Sequence, residues 1–346
     1  MPAQSSAVPM MEQRYLGVSS LRVSVLTYGT WMTHGVRISD TAAAECVAVA
    51  LESGITSFDT ADMYGNGLAE SCLGRVLGGV DRTTVQITSK VFWPTGSRGP
   101  TDWGLSRRHI RTSVRASLKR LRTDYLDLYL AHRFDRWTPL EETLTAFAEC
   151  VAEGMTRFVG VSEWKVDEIE AAKPIARELG LPLVTNQVQY SLLWRIPETS
   201  IADFCDSADI SLTAWAPLAE GVLTGKYLSG PLGSGIRRAD HLEDGRKMRR
   251  LFMDSETTAA LRRAHELAAD AGTTLTEVAL GWLLARRNVG SVVIGASAPE
   301  QLRENCRAVT KPVSVDVIDA VAEELAPVAH RDPSTVELAS PLEPPC

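Results

Sequence analysis

The stretch "SFDTADMYGNG", residues 57 to 67, sets a carboxylate, Asp59, five residues ahead of a phenol, Tyr64, where a short apolar run gives way to a segment with helical spacing. A phenol of pKa ~10 is a weak acid at neutral pH and needs a neighbouring cation to become a useful proton donor. Further along, the chain offers an ammonium in Lys90, in "ITSK", and an imidazole in His132, in "YLAH". Asp59 would pair with Lys90 and keep it charged and aimed. The ammonium would favour the phenolate and so lower the pKa of Tyr64, and His132 would hydrogen-bond the oxygen of a carbonyl and orient it. Together the four make one proton donor for a carbonyl group.

Singly, each has a plain structural role open to it: an aspartate at a strand end often caps the next helix, and a lone lysine or tyrosine at a rim is usually solvated. What joins them is the architecture that the rest of the chain predicts. Short β-branched or apolar runs recur at "VSVLTYG", "ITSFDT", "TVQITSK", "LDLYLAH", "TRFVGVS", "LVTNQVQ", "ISLTAWA" and "SVVIGAS". Amphipathic segments separate them: Val47, Ala50, Leu51 and Gly54 share one helical face, as do Ile110, Val114, Ser117, Leu118 and Leu121. Eight strand–helix units in succession predict a parallel sheet, and eight is the number that closes into a (β/α)8 TIM barrel, an α/β fold. A doubly wound open sheet, the competing topology, announces its nucleotide site with G-x-G-x-x-G, and both "GNGLAE" and "GSGIRR" lack the third glycine.

Barrel sites form at the C-terminal ends of the strands. There the sequence puts Asp59 after the second strand, Lys90 at the end of the third and His132 at the end of the fourth. Ser162 follows the fifth, Gln187 and Trp215 lie in the sixth and seventh, Gly295 follows the eighth, and Tyr64 sits in the second loop. Chance would rarely place polar or aromatic groups at six of seven successive strand ends, with a glycine at the other, all aimed at one mouth. "RYLGVSSLRVS" predicts a β-hairpin ahead of the first barrel strand, capping the N-terminal mouth, and "LGSGIRRADHLEDGRKMRRLFMD" is a long loop at the opposite face. Residues 1–13 and 331–346 are polar or proline-rich and read as flexible tails around one barrel domain spanning 14–330.

Composition narrows the function classes. The 346 residues carry 36 basic and 43 acidic side chains, a net charge of −7, which argues against a nucleic-acid or anionic-membrane partner; the small-molecule carbonyl substrate is read from the four site residues, not from the charge. No apolar run reaches the ~18 residues of a membrane span, and the N-terminus has neither a basic n-region nor an apolar core. A cytoplasmic protein without membrane insertion is the expectation. Six cysteines without a C-x-x-C pair read as reduced core thiols, with no metal site expected. "GVLTGK" is one residue short of a Walker A spacing, and H-E-x-x-H, G-x-S-x-G and a Tyr-x-x-x-Lys pair do not occur. The sequence is compatible with a homo-oligomer and does not specify one.

With these residues in place, the chain resembles the aldo-keto reductase superfamily. "FDTADMYGNGLAESCLG" is similar to that family's signature around its aspartate and tyrosine, "ITSKVFW" to its lysine strand and "YLDLYLAH" to its histidine strand. "YGTWMTHG", "FWP…RGPTDWGLSRRHI", "AWAPLAEGVLTGKY" and "IGASAPEQLRENCRAV" are most similar to the branch of voltage-gated potassium channel β-subunits and their bacterial relatives, and the likeness runs from about Arg14 to Val313. The resemblance implies a catalytic tetrad of Asp59, Tyr64, Lys90 and His132 and an NADPH/NADP+ cofactor extended across the barrel mouth. By the same resemblance Thr30 and Trp31 lie beside the cofactor, Trp215 stacks on the nicotinamide, and Ser162 and Gln187 hold its carboxamide. Pro217, Leu218 and Gly221 line the pyrophosphate with Lys226. Gly295, Arg238, Ser297, Gln301, Glu304 and Asn305 receive the adenosine and its 2′-phosphate, Arg237 being as well placed as Arg238 to read that phosphate. A helix start at "GASAPEQL" suits a phosphate, since free backbone N–H groups point there.

Two positions depart from the pattern. Glu163 stands where relatives commonly carry asparagine or arginine, at the second carboxamide contact. His132 stands where the channel β-subunits typically have asparagine, and the intact tetrad favours a reductase of aldehydes or ketones over a redox-sensing NADP(H)-binding regulatory subunit. Trp31, Trp93 and Trp137 fall in rim loops and would wall a substrate pocket, though ordinary loop packing explains them equally. Some members of the superfamily reduce keto groups of nucleotide-activated deoxysugars. Arg237, Arg246, Arg249 and Arg250 in the long loop would meet such a diphosphate, or else form a solvated basic face.

Overall fold

The computed structural model describes residues 11–96, 102–228, 251–252 and 254–335. Two short strands, Gln13–Tyr15 (β1) and Arg22–Ser24 (β2), pair antiparallel as the expected hairpin. Gly17 in its turn adopts φ +52°, and a Cβ there would meet the carbonyl oxygens of Asp209 and Val184, so only glycine fits. Leu16, Leu21 and Val23 of the hairpin pack with Leu128, Leu130 and Val184 in an apolar cluster separate from the main core.

The barrel strands follow in chain order: Leu26–Gly29 (β3), Ser57–Asp59 (β4), Gln86–Val91 (β5), Leu126–Ala131 (β6), Thr156–Ser162 (β7), Leu183–Gln189 (β8), Ser211–Trp215 (β9) and Val289–Gly295 (β10). Each pairs in parallel with the next, and β10 pairs with β3 to close the ring. β6 and β8 are buried along their whole length, as strands covered on both faces must be. Outside lie the helices Asp40–Glu52 (α1), Leu68–Val76 (α2), Arg107–Leu121 (α3), Leu140–Ala152 (α4), Val166–Glu178 (α5), Ile201–Ser207 (α6), Ser255–Asp270 (α7), Leu275–Leu284 (α8), Pro299–Thr310 (α9) and Val315–Leu325 (α10). The fold is therefore the closed eight-stranded barrel that the strand–helix alternation predicts.

Local chemistry starts and stops these helices. Ser39 and Ser106 accept from the amides of Ala42 and His109, and Thr274 with Glu277 forms a reciprocal capping box on α8. In α3 the predicted face is buried at Ile110, Val114, Ser117 and Leu121. In α1 the buried face includes Val47 and Ala50, but Gly54 does not belong to it: the helix ends at Glu52, and Gly54 lies beyond it at φ +82°, a left-handed conformation that stops a helix.

Met11, within the segment read as the N-terminal tail, is buried, and the His330 amide, just before the C-terminal one, donates to Leu193 O, so the chain is seated against the barrel at both places. Cys46, Cys72, Cys150, Cys205 and Cys306 are buried free thiols. Among the described residues no helix is long and apolar enough to cross a membrane, and no group of side chains is arranged to hold a metal. Arg237, Arg238, Arg246, Arg249 and Arg250 lie outside the described residues.

Candidate active site

Asp59 is the last residue of β4, Lys90 is the penultimate residue of β5, and His132 directly follows β6. Tyr64 opens a short turn after β4 in which Gly65 and Asn66 take left-handed φ values of +56° and +57°. Parallel register between β4, β5 and β6 lines up the ends of these strands, and the side chains meet. Lys90 Nζ donates to Asp59 Oδ1 at 2.6 Å, to Thr60 O at 2.8 Å and to Tyr64 Oη at 3.2 Å. The His132 ring stands edge-on to Tyr64, with centroids 5.9 Å apart. Lys90 has no solvent exposure, whereas Tyr64 is half-buried.

Burial opposes the charge on Lys90, but the Asp59 carboxylate and the Tyr64 hydroxyl beside it more than compensate, so its pKa is raised and the ammonium persists. The expected lowering of the Tyr64 pKa is not what the resting site has. Burial pushes the phenol above its ordinary value, Lys90 offsets only part of that, and Asp59 pushes upward too. Sequence spacing reveals the neighbouring cation but not the desolvation that outweighs it. For His132, burial first, then the charges of Arg133 and Lys90, hold the pKa well below its usual value, so the imidazole is neutral; its Nδ1 is buried without a hydrogen-bond partner.

Several expected cofactor contacts are engaged within the protein. Gln187 Nε2 donates to Asp59 Oδ2 at 2.8 Å, completing the carboxylate's second oxygen. Ser162 Oγ donates to Gln187 O at 3.0 Å, and Thr30 Oγ1 to Asp59 O at 3.1 Å. Trp31 lies between Tyr64 and Trp215, with ring centroids 6.5 and 6.2 Å away. After β9 the backbone runs through left-handed positions at Ala216, Ala219, Glu220 and Gly221. Pro217 is buried there, Leu218 is half-buried, and a Cβ on Gly221 would collide with the Lys226 side chain. At the end of β10, Gly295 is exposed with open space where a Cβ would stand. Ser297 donates through its amide and hydroxyl to Gln301 Oε1 at 2.9 and 3.1 Å, Asn305 Nδ2 reaches Gly295 O at 3.5 Å, and Glu304 pairs with Arg307 at 3.6 Å. No side chain caps the N-terminus of α9.

The three rim tryptophans fall into two groups. Trp31 belongs with Tyr64 and Trp215, while Trp93 packs edge-on to Phe92, which in turn meets Trp103, and Trp103 meets Trp137. A single aromatic wall of Trp31, Trp93 and Trp137 is thus not what the loops build: Trp103, absent from the sequence reading, bridges the latter two.

Two further residues, Arg133 and Asp62, escaped that reading, and Glu163 makes contacts that it did not name. Arg133, next to His132, donates to His132 O at 2.5 Å and to Ser162 Oγ at 3.4 Å, and its charge acts on both Tyr64 and Glu163. Glu163, at φ +57°, accepts through Oε1 from the Trp215 indole N–H at 2.7 Å and from the Gln189 amide at 2.6 Å. Burial raises its carboxyl pKa, and Arg133 and the two donors offset part of the rise. Asp62, in the same "DTADMYG" stretch as the tetrad, is buried; burial first and then the charge of Glu70 drive its pKa well up. Its position three residues after Asp59 was the available signal.

Comparison with known families covers the whole of this closed parallel barrel. The family model "Aldo/keto reductase family" matches residues 25–325, and the chain belongs to that family. Among curated proteins it is similar to a "Probable voltage-gated potassium channel subunit beta" from Oryza sativa subsp. japonica, with 36% identity over 323 residues that cover 90% of this chain and 97% of the relative. A protein of the same description from Arabidopsis thaliana matches with the same identity and coverage.

Proposed function

We propose that this protein is an NADPH-dependent reductase of aldehydes or ketones in which Tyr64 is the general acid. The observation that carries the reading is the Lys90 ammonium, fully buried and held at once by Asp59 at 2.6 Å and by the Tyr64 hydroxyl at 3.2 Å. A bound reduced nicotinamide supplies the hydride. Tyr64 gives its proton to the carbonyl oxygen, and the phenolate left behind forms beside a cation that is already in position and needs no reorganisation. Gln187 and Lys90 satisfy both oxygens of Asp59, so the carboxylate cannot turn away from the lysine. Neutral His132 is free of the charge that would make it a competing acid, and it orients the carbonyl by hydrogen bonding.

The residues present fit the cofactor. His132 keeps a buried nitrogen without a partner, Gly295 leaves backbone open to close approach, Lys226 lies against Gly221, and α9 presents an uncapped N-terminus beside Ser297, Gln301 and Asn305. Trp215 would stack on the nicotinamide, Ser162 would meet its carboxamide with Gln187, and Thr30 and Trp31 would flank it. Pro217, Leu218, Gly221 and Lys226 would line the pyrophosphate, and Glu304 with Arg238 or Arg237 would complete the adenosine end. The reading includes a cytoplasmic protein with one barrel domain over residues 14–330.

A second reading, a regulatory subunit that senses redox state through bound NADP(H), draws support from the names of the relatives; His132 in the tetrad favours turnover instead. The test is a screen of aldehydes, ketones and keto groups of nucleotide-activated deoxysugars against NADPH oxidation. Tyr64→Phe should lose more than tenfold in rate with nearly unchanged NADPH affinity, because the hydroxyl acts only in the transition state. Residual turnover above about a tenth of wild type removes Tyr64 as the acid. Slow single-turnover oxidation with every carbonyl would turn the assignment to the regulatory reading.

A further inference from the structure

We propose that Glu163 is a positioning residue that fixes the plane of the Trp215 indole, so that it serves the nicotinamide end of the mouth through the tryptophan and not by touching the cofactor. This rests on the reading that a nicotinamide nucleotide binds here.

The carboxylate ties three neighbouring strand ends together. Glu163 directly follows β7, Gln189 ends β8 and Trp215 ends β9; a single oxygen, Oε1, accepts from both of the latter at 2.6 and 2.7 Å. An ionised carboxylate is acceptor-only, so it meets two N–H donors with no donor of its own turned towards them. Hydrogen bonds to a charged acceptor are about twice as strong as neutral ones. Among the described residues the other ring contact at the indole is Trp31, which meets it edge-on, at 85° and 6.2 Å. Glu163 reaches this position at φ +57°, a left-handed conformation that residues with a Cβ seldom adopt. In that conformation its side chain meets Trp215. The charge of Arg133 favours the ionised carboxylate and offsets part of the cost of its burial.

Glu163 Oε1 is already taken by two protein donors, so that oxygen serves the indole and the end of β8 and not a carboxamide. The departure from asparagine or arginine is therefore an exchange of one contact for a fixed indole.

The experiment uses the full chain with 15N-labelled indoles. Of its eight tryptophans, the Trp215 Nε1–H resonance is the one lost in Trp215→Phe. In the nucleotide-free protein Glu163→Ala should move that resonance upfield and broaden it, and NADPH affinity should weaken about tenfold, the loss of one charge-assisted hydrogen bond. Glu163→Gln, which keeps an acceptor at the same reach, should restore a sharp resonance and most of the affinity. Glu163→Asp, which keeps the charge but is one methylene short, should behave like alanine and serves if the alanine variant does not fold. An unmoved Trp215 resonance in both the alanine and aspartate variants overturns the proposal, as does a shifted resonance with unchanged NADPH affinity. If wild type binds no NADPH while the resonance still responds to Glu163, the cofactor reading has failed and the clamp on the indole stands.

Discussion

Replacing Asp59 by asparagine should destabilise the protein far more than the same change does at a surface carboxylate, and removing Lys90 as well should give most of that stability back. The Lys90 ammonium is fully buried, with Asp59 Oδ1, Thr60 O and Tyr64 Oη as its hydrogen-bond acceptors. In Asp59→Asn the charge stays and only neutral acceptors remain; breaking a buried pair by removing one partner costs about 3–5 kcal/mol. Lys90→Met leaves the opposite charge, but Asp59 keeps the Gln187 donor, which lowers the cost by about one hydrogen bond, ~1–2 kcal/mol. The double variant has neither charge, and buried pairs exchanged for neutral groups of similar volume are often near neutral in stability. It should therefore fall within about 1 kcal/mol of wild type, a strongly favourable coupling between the two changes. Urea midpoints followed by circular dichroism measure the stability, and NADPH oxidation, absent in all three variants, measures function. A double variant as unstable as the sum of the single ones would refute the reasoning, because the pair would then be stabilising the barrel and not maintained for the charge it presents to Tyr64.

Acid should weaken the fold in a specific window. Burial lowers the pKa of His34 and His109 to about 4, so their neutral state contributes stability that is fully present above the unfolded value near 6.5 and is lost as pH falls towards 4. Each accounts for about 3 kcal/mol at full loss; a melting temperature flat between about pH 7 and 5 would contradict this. For the cofactor, Arg238→Ala should weaken NADPH binding about ten- to a hundredfold and leave NADH nearly unchanged, since a charge-assisted bond to a 2′-phosphate has no counterpart in NADH. Arg237→Ala tests the neighbouring candidate in the same fluorescence titration, and equal losses for both nucleotides would show that this loop does not read the phosphate.

The placement of the tetrad was legible because a parallel barrel turns a one-dimensional pattern into a place: a polar residue where an apolar run stops is a residue at the mouth. Lys90, His132 and Asp59 were found that way. Glu163 and Arg133 sit just past such stops as well, but each adjoins a residue that had already claimed the position, and neighbours in a strand point to opposite faces. Only the left-handed backbone of Glu163 brings it back to the site, and a non-glycine residue gives no sequence sign of that conformation. The sign of the Tyr64 shift was hidden for a different reason, since desolvation depends on everything packed around the phenol. The rim tryptophans show the same limit: Trp103 interposes between Trp93 with Phe92 and Trp137, a relation set by loop paths and not by spacing.

The seam between β10 and β3 has a consequence for how the chain comes to hold this shape. Val292 pairs with Leu26 and Thr27 meets Ser291, partners 264 positions apart in the latter case. Arg14, in the hairpin, donates to Leu284 O and Val289 O across a similar span. During synthesis β3 is therefore an open sheet edge until β10 has left the ribosome, and such edges invite pairing with other chains. Closure waits on contacts of long sequence separation, the kind that make folding slow. The first strand and the last complete the ring together, and the hairpin's arginine bonds to the segment that brings the last one in.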